Sequence, residues 1–291
     1  MALYLWEDLT EEQVKDVVQK TDATCVIPLG SMAMHGQHSP MGTDCFIAES
    51  IVRKAAEIES ICLFPTLWMG CALNPYDHAG QINLSRPLIH EMLEEIVAEV
   101  GRNGFYRIVI ANAHGENGEM LTNFFRSQSQ YKKNYALYGK GVHHCDIDWI
   151  VRDMDAGEEF PTLTEEDKAL LRQIHDSGMP YGHADLYETS MLMALRPELV
   201  RLDRAGADNV GISTGKGDYL SDNYLYSEDL NYPNGVIGFN PKLANERLGQ
   251  VFVDKEVDLF ARALRVIKDE KDMPERIAKG SAVRPYYYNP K

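Results

Sequence analysis

Short apolar runs alternate with amphipathic segments through the first half of the chain. The runs are continuous rather than alternating, which is typical of strands buried on both faces of a parallel sheet. They occupy residues 25–29, 60–67, 107–111 and 134–138. The segments around them carry apolar residues at helical spacing or a capping residue followed by acidic residues, and these features predict helices. These helices are expected at residues 10–19, 45–58, 86–103 and 117–130.

Strands and helices that alternate along the chain imply a parallel sheet covered by helices on both faces. The second half is less regular, with helices predicted at residues 165–177 and 242–265 and another that follows a polar cluster within residues 182–195. Residues 210–233 are rich in Gly, Asp, Asn and Tyr, so we predict a long loop that is functional or packs on a neighbouring subunit. The chain shows no internal repeat and no linker, which predicts a single domain over residues 1–291.

The chain is acidic, with a formal net charge of −15 at pH 7. This charge argues against nucleic acid or an anionic membrane as a partner. The first residues, MALYLWEDLTEEQ, lack the basic and apolar regions of a signal peptide, and no apolar run reaches the roughly 18 residues of a membrane span. The 5 cysteines form no CxxC pair, which favours reduced thiols. We therefore expect a cytoplasmic protein.

Candidate metal ligands are concentrated where the first buried strand ends, in the stretch VIPLGSMAMHGQHSPMGTD. His35, His38 and Asp44 lie there among glycines and a proline. A second strand ends in the same way, in IVIANAHGEN, with His114 and Glu116. Because ligands of α/β proteins bind at the carboxyl ends of parallel strands, we expect the two turns to meet.

Imidazoles mixed with carboxylates are typical ligands of Zn²⁺ or Mn²⁺. Such a metal lowers the pKa of a bound water to about 7 and so supplies hydroxide at neutral pH. A single histidine in a turn is more often structural, but two strand-end turns that each carry an imidazole and a carboxylate favour a metal site. His38 is either a ligand or a residue that orients one. Cys45 is interpreted as a small buried thiol at a helix start rather than as a ligand.

A third polar cluster, GHADLYETS, precedes a predicted helix and contains His183 and Glu188. Its functional interpretation is a proton shuttle at the metal site, with Glu188 holding His183 or acting as a base. The alternative is that Glu188 only interacts with the helix dipole. His143 and His144 are interpreted as structural or substrate-facing. The remaining histidines are interpreted as structural: His78, His90 and His175.

These stretches resemble the creatininase family, the creatinine amidohydrolase-like metal hydrolases. PLGSMAMHGQHSPMGTD resembles the family pattern P-x-G-S-x-E-x-H-G-x-H-x-P-x-G-T-D, NAHGEN resembles its N-x-H-x-E/G-N turn, and HADLYETS resembles its H-A-x-x-x-E-T-S motif. A fourth pattern, G-V-x-G-x-P-x-x-A-x-x-x-x-G, is similar to GVIGFNPKLANERLG with one residue inserted before Pro241. The four motifs occur in order and span most of the chain.

The resemblance implies a three-layer α/β/α fold with a mostly parallel central sheet, commonly assembled as a hexamer. It also implies that His35, Asp44 and Glu116 hold one divalent metal, Zn or Mn. Asp44 would bridge to a second metal, which His114 would also bind. The catalytic, proton-handling roles implied by the resemblance fall to His183 and Glu188.

This chain departs from the family pattern at two positions. The family's first glutamate ligand falls at Ala33, which carries no ligand atom in its side chain. Either the second metal site is empty or weak, or another group such as Glu119 or His38 fills it, so we expect one or two metals per chain. The tyrosine that creatininase carries between its histidine and glutamate is Gly115 here, which argues against creatinine as the substrate.

The leading hypothesis is a metal-dependent hydrolase in which metal-activated water attacks a small cyclic or amide-type carbonyl substrate and cleaves a C–N bond. The first alternative is hydrolytic C–C ring opening of a cyclic polyol diketone, as in inositol catabolism. The second is a non-catalytic, ligand-binding family member, an alternative that Ala33 motivates and that the retained His183 and Glu188 disfavour. We expect a small-molecule substrate, no nucleic-acid or membrane partner, and a homo-oligomer such as a hexamer.

Overall fold

The computed structural model describes residues 2–71, 79–128, 130, 132–142, 147–178, 182–205 and 235–279, and the backbone of residues 286–287. Its centre is a six-stranded sheet in the order β1-β3-β2-β4-β5-β6, and every described strand pair is parallel. The strands are β1 Leu3–Leu5, β2 Thr24–Leu29, β3 Ile61–Leu63, β4 Arg107–Asn112, β5 Ala136–Gly141 and β6 Tyr286–Tyr287.

Helices cover both faces of this sheet. Those of the first half are α1 Glu11–Lys20, α2 Thr43–Ala56, α3 Arg86–Arg102 and α4 Asn117–Gln128. Those of the second half are α5 Ile147–Asp155, α6 Glu165–Ser177, α7 Leu186–Leu195, α8 Glu246–Asp269 and α9 Met273–Ala278. None of the described helices is both long and apolar enough to cross a bilayer.

The two faces of the sheet support two separate apolar cores. Alternate residues of β4 point to opposite faces, as the pleat of a strand requires. Val109 packs into the core formed with α2 and with helices of the second half, whereas Ile108 and Ile110 pack into the core formed with α1, α3 and α4. The predicted three-layer α/β/α architecture with a parallel sheet is therefore confirmed.

The central strands β2 and β4 form the topological switch point of the sheet. They are paired in register from Thr24 opposite Arg107 to Leu29 opposite Asn112. After β2 the chain enters α2 on one face, and after β4 it enters α4 on the other face. Diverging connections leave a crevice beyond the carboxyl ends of these strands, where ligands of open α/β sheets bind. Both histidine-bearing turns begin there.

Several element boundaries differ from those predicted. The helix predicted at residues 45–58 begins at Thr43, so Asp44 lies in its first turn rather than in the preceding loop. The strand predicted at residues 60–67 contracts to Ile61–Leu63, because β1 pairs with it over that length and beyond it the pairing with β2 is reduced to an isolated bridge between Leu29 and Leu67. The helix predicted from residue 242 begins at Glu246, because the Asn245 side chain accepts a hydrogen bond from the Leu248 N–H at 3.0 Å and caps it there.

Three short elements were not predicted, β1, α5 and α9, since each offers too few residues to display a period. The four described cysteines are free and buried, as expected of reduced thiols. The long loop predicted at residues 210–233 lies outside the described residues, and the single-domain organisation stays a prediction.

A close crossing of α7 and α8 fixes the helix that carries Glu188. A Cβ added at Gly249 of α8 would lie 1.8 Å from the carbonyl oxygen of Ser190 in α7. Only glycine allows the two backbones to approach this closely. The residues of α7 from Leu186 to Leu192 are buried, so the helix cannot move aside without disturbing the core.

We expect Gly249→Ala to lower the free energy of unfolding by about 2–3 kcal/mol, because the added methyl group forces the two helices apart. Gly118→Ala in α4 is the matched control, since a Cβ there meets nothing within 4 Å in the described structure. The control should leave stability unchanged or raise it by up to about 1 kcal/mol. Urea denaturation followed by circular dichroism measures both, and equal stabilities for the two variants would contradict the crossing.

Candidate metal centre

His35 lies in the loop that connects β2 to α2, and its ring is fully buried. Its Nδ1–H donates a hydrogen bond to the carbonyl oxygen of Ala33 at 3.0 Å, which fixes the ring orientation. The other ring nitrogen, Nε2, then faces Asp44 Oδ1 at 3.1 Å. A histidine that donates one nitrogen to a backbone carbonyl and turns the other inward has the arrangement of a metal-ligating imidazole.

Asp44 is the meeting point of the two strand-end turns. It sits in the first turn of α2, and its carboxylate is buried. Oδ1 faces His35, and Oδ2 lies 2.7 Å from Nδ1 of His114. Despite this short separation, Oδ2 makes no well-aligned hydrogen bond within the described residues. The carboxylate therefore lies between the two histidines where the two turns meet, and its role as a metal ligand stays a prediction.

The turn after β4 carries His114 and Glu116. Nε2 of His114 lies 3.4 Å from Oε2 of Glu116, too far for a good hydrogen bond. His114 Nε2 is buried without a hydrogen bond in the described part of the chain. Glu116 is half-buried, and its pairing with His114 brings the second predicted carboxylate to the same cluster.

Two asparagines hold these turns together by hydrogen bonds. No role was predicted for them from the sequence. The Asn112 side chain donates to the His114 carbonyl at 2.8 Å and accepts from Asn117 Nδ2 at 3.0 Å. Asn117 also donates to the Gly30 carbonyl at 3.2 Å and accepts from the Cys71 N–H at 2.8 Å. Both asparagines are visible in the sequence as the first and last residues of NAHGEN. Their role could not be predicted from that motif, because it depends on how the ends of β2 and β4 lie beside each other.

The third predicted cluster reaches the same site from the amino end of α7. Oε2 of Glu188 lies 3.4 Å from Nε2 of His35 and accepts a hydrogen bond from the Ala184 N–H at 2.6 Å. The rings of His183 and His35 have centroids 4.7 Å apart. Asp185 caps α7 by accepting from the Tyr187 N–H at 2.9 Å. Glu188 thus does more than interact with a helix dipole.

One set of three residues in the described structure has a ligand atom from each member within 4.8 Å of the others: His35, His183 and Glu188. The resemblance implied proton-handling roles for His183 and Glu188, and the structure places both within reach of a metal bound to His35. All six predicted site residues are thus linked by pairwise contacts, but of the four predicted ligands only His35 belongs to this set of three. The division between ligands and proton carriers stays a prediction.

The charges of the cluster are strongly coupled. Burial alone would lower the pKa of His35, but the charges of Asp44 and Glu188 outweigh it and raise that pKa to about 9. Burial opposes protonation of His114 as well, yet Asp44 raises its pKa to about 10. The same two imidazoles overcome the effect of burial on Asp44 and lower its pKa well below the usual range.

Two neighbours respond mainly to burial. Burial and the charge of His35 lower the pKa of His183 to about 4. Burial and the charge of Glu188 raise the pKa of Asp185 to about 7. These two groups differ from Asp44, whose buried carboxylate is stabilised by positive charge on His35 and His114.

The donor set fits a divalent metal. Asp44 Oδ2 and His114 Nε2 are buried, close to further ligand groups, and without an aligned hydrogen bond among the described residues. A cation would supply the positive charge that protonated imidazoles otherwise provide to Asp44. Mixed imidazole and carboxylate donors suit Zn²⁺ or Mn²⁺.

One of the two named substitutes for the missing glutamate at Ala33 is directed away from this set. The Glu119 side chain is 81% exposed and pairs with Arg86 at 3.6 Å, so the suggestion that Glu119 replaces the glutamate is wrong for the side-chain position described. His38 uses Nε2 to donate to the Ala184 carbonyl at 2.9 Å, whereas its Nδ1 is buried without a hydrogen bond among the described residues. Replacement of the glutamate by His38 therefore stays a prediction.

The other candidates are structural where they are described. Cys45 is a buried thiol whose Sγ lies 3.7 Å from the Ser31 carbonyl oxygen. His90 bonds to Ser127 Oγ at 2.9 Å, and His175 pairs with Asp148. His78, His143 and His144 lie outside the described residues.

Comparison with known proteins agrees with this geometry. A sequence model of the family described as creatinine amidohydrolase matches residues 7–264. The chain is similar to creatinine amidohydrolase of Pseudomonas putida, with 24% identity over 213 residues, 68% of this chain and 74% of that protein. It is also similar to 3-dehydro-scyllo-inosose hydrolase of Thermotoga maritima, with 20% identity over 287 residues, 91% of this chain and 83% of that protein.

The fold has solved counterparts. A manganese creatininase structure superposes with a TM-score of 0.71 at 19% identity and covers 91% of this chain and 98% of that chain. The match of the family model over most of the chain decides the family, and the structure match agrees in fold. The chain belongs to the creatininase family and is an amidohydrolase-like enzyme of that family.

Proposed function

We propose that this enzyme is a metal-dependent hydrolase that cleaves a C–N bond in a small cyclic or amide-type carbonyl substrate. The observation that carries the proposal is the buried Asp44 carboxylate between His35 and His114, at 3.1 and 2.7 Å. This group lies at the switch point of the sheet, and His183 and Glu188 face it from another element. Neither a structural core nor a simple cap requires so many titratable groups in one buried cluster.

The proposed metal ligands are His35, Asp44, His114 and Glu116. When bound, a divalent metal would supply Lewis-acid polarisation and a water of lowered pKa. Zn or Mn, one or two ions per chain, is proposed, because solved creatininases include a manganese form and a zinc–zinc form. The Ala33 departure leaves His114 with fewer carboxylate neighbours than the family pattern provides.

The proposed proton carriers are Glu188 and His183. The Ala184 N–H holds the Glu188 carboxylate 3.4 Å from His35, where it can take a proton from the attacking water. His183, whose lowered pKa keeps it neutral near pH 7, has a ligand atom within 4.8 Å of Glu188, so it can take this proton from Glu188 and pass it to the departing nitrogen. Both act without moving far, because the cap of α7 and the core around it fix their backbone.

A second candidate function is hydrolytic C–C ring opening of a cyclic polyol diketone. The relative that matches 91% of this chain is named as a hydrolase of 3-dehydro-scyllo-inosose, which supports this alternative. A Cβ added at Gly115, between His114 and Glu116, would meet nothing within 4 Å in the described structure. The absence of a side chain at this exposed position, where creatininase carries a tyrosine, supports a substrate other than creatinine. A small-molecule substrate, a homo-oligomer such as a hexamer and a cytoplasmic location are further proposals.

Asp44→Asn should remove at least about nine-tenths of the bound metal, because it removes the charge that lies between both histidines. Glu119→Gln is the matched control: it also neutralises a carboxylate near the second turn, but one that is exposed and paired with Arg86. Inductively coupled plasma mass spectrometry of protein purified without chelator gives the metal per chain. Full metal content in Asp44→Asn, or equal loss in the control, would contradict the proposed site.

Product analysis separates the two candidate reactions. With the Zn²⁺- or Mn²⁺-loaded enzyme and panels of cyclic amides and cyclic polyol diketones, we expect turnover that releases an amine or a new amino group. Glu188→Gln should retain metal and lower kcat by about 10²–10⁴-fold, because it removes a proton carrier. Turnover of a diketone to a carboxylic acid without amine release would favour the C–C reaction instead.

A further inference from the structure

His38 is a buried histidine that the proposed reaction does not use. It lies in the same loop as His35, and its backbone carbonyl accepts a hydrogen bond from the Arg201 N–H at 2.8 Å. Its ring packs against Gly36, whose φ is 64° and where an added Cβ would lie 2.7 Å from Nδ1. Any side chain at position 36 would therefore push the His38 ring away from its present place.

The ring of His38 connects the first loop to the third motif. Its Nε2–H is shared between the Ala184 carbonyl oxygen at 2.9 Å and Thr189 Oγ1 at 3.1 Å. A carbonyl oxygen can only accept, so Nε2 carries the hydrogen. Its other nitrogen, Nδ1, is buried without a hydrogen bond within the described residues. The ring thus donates only through Nε2, toward the segment that precedes α7.

Ala184 has a backbone conformation that needs support. Its φ is 52°, in the left-handed region, which is strained for a residue with a Cβ. The conformation turns the chain sharply between His183 and α7. It also directs the Ala184 N–H to Glu188 Oε2 at 2.6 Å. One strained residue therefore orients both groups that face His35.

Contacts from the carboxyl-terminal side hold this turn as well. His183 forms an isolated bridge with Ile237, and Asp185 accepts from the Gly182 N–H at 3.2 Å. These contacts fasten the turn to residues that follow it or flank it. His38 differs because it belongs to the loop that carries His35, so its hydrogen bond sets the turn relative to the opposite side of the site.

We propose that His38 is a positioning residue that holds the left-handed turn at Ala184 and thereby keeps His183 and Glu188 directed at His35. The proposal deepens the proposed function and rests on it in one respect, that these three residues serve the same reaction centre. His38 acts through the donor at Nε2 and touches neither the metal nor the substrate.

A pair of amide variants tests the role of the donor. In His38→Gln the side-chain N–H can reach the Ala184 carbonyl, whereas the side chain of His38→Asn is one methylene shorter and cannot. His90→Asn is the control, because His90 also bonds through Nε2, to Ser127 Oγ, but on α3. Hydrogen exchange of the metal-free full chain, followed by mass spectrometry, reports protection of residues 182–190.

In His38→Asn, we expect the amide hydrogens of residues 182–190 to exchange at least about tenfold faster than in wild type, while those of the α3 peptide exchange at the wild-type rate. In His38→Gln and His90→Asn, we expect residues 182–190 to exchange at the wild-type rate. Equal protection in His38→Asn and wild type would overturn the proposal, and so would lost protection in His38→Gln. If His38→Asn does not fold, His38→Gln decides alone: wild-type protection supports the donor role and lost protection overturns it.

Titration with Co²⁺ provides the second readout. His38→Asn should raise the Kd for Co²⁺ by about 10–100-fold and shift the visible absorption of the bound ion, because groups that surround the ligands are misplaced. A lowered Tm with unchanged Kd and spectrum would show a merely structural role and overturn the proposal. Failure of the wild type to bind Co²⁺ would overturn the proposed metal function instead, while the exchange measurement still tests His38.

Discussion

The buried carboxylate of Asp44 is the constraint around which the site is arranged. A carboxylate removed from water must be compensated by positive charge or hydrogen bonds. Asp44 obtains a hydrogen bond from His35 and positive charge from His35 and His114, which come from two different strand-end turns. As a result, the protonation state of each group in the cluster depends on the charges of its neighbours. In the proposed metal-bound form, a cation would supply the positive charge that protons on the imidazoles otherwise provide.

The sheet places this carboxylate beyond the carboxyl ends of its two central strands. Strands β2 and β4 pair over their whole length, and their following helices leave on opposite faces. The asparagines Asn112 and Asn117 then join the two turns by hydrogen bonds, so neither histidine depends on its own loop alone. A rigid frame of this kind favours catalysis, because the reacting groups need little reorganisation.

The third motif is held by a different principle. Its residues reach the site through a strained turn at Ala184, which Asp185, Ile237 and His38 support from several sides. Strain at a functional site persists only where the surrounding structure determines it more than once. The proposed proton carriers, His183 and Glu188, therefore depend on the mutual placement of three segments that are distant in sequence. This dependence distinguishes them from the proposed metal ligands, which lie in and beside the turns that follow β2 and β4.

Much of this protein could be predicted from local patterns in the sequence. Continuous apolar runs are a local property, and they predicted β2, β4 and a sheet covered on both faces. The strand-end positions of His35 and His114 followed from the same runs, and the resemblance of four ordered motifs to family patterns indicated the family. Asp44 was predicted in the cluster although its helix starts earlier than expected, since helix ends are local features with weak signals.

Only the tertiary structure decided how side chains meet across the chain. It turned Glu119 outward to Arg86 and brought Glu188 to His35, although both are carboxylates in the first turn of a helix. It also gave His38 its acceptor at Ala184, which is far away in sequence. No period or spacing encodes such pairings, because they depend on where packed helices and strained turns place each segment relative to the others. The sequence by itself determined the chemical groups and the strand ends that carry them, and long-range packing decided which of these groups face one another.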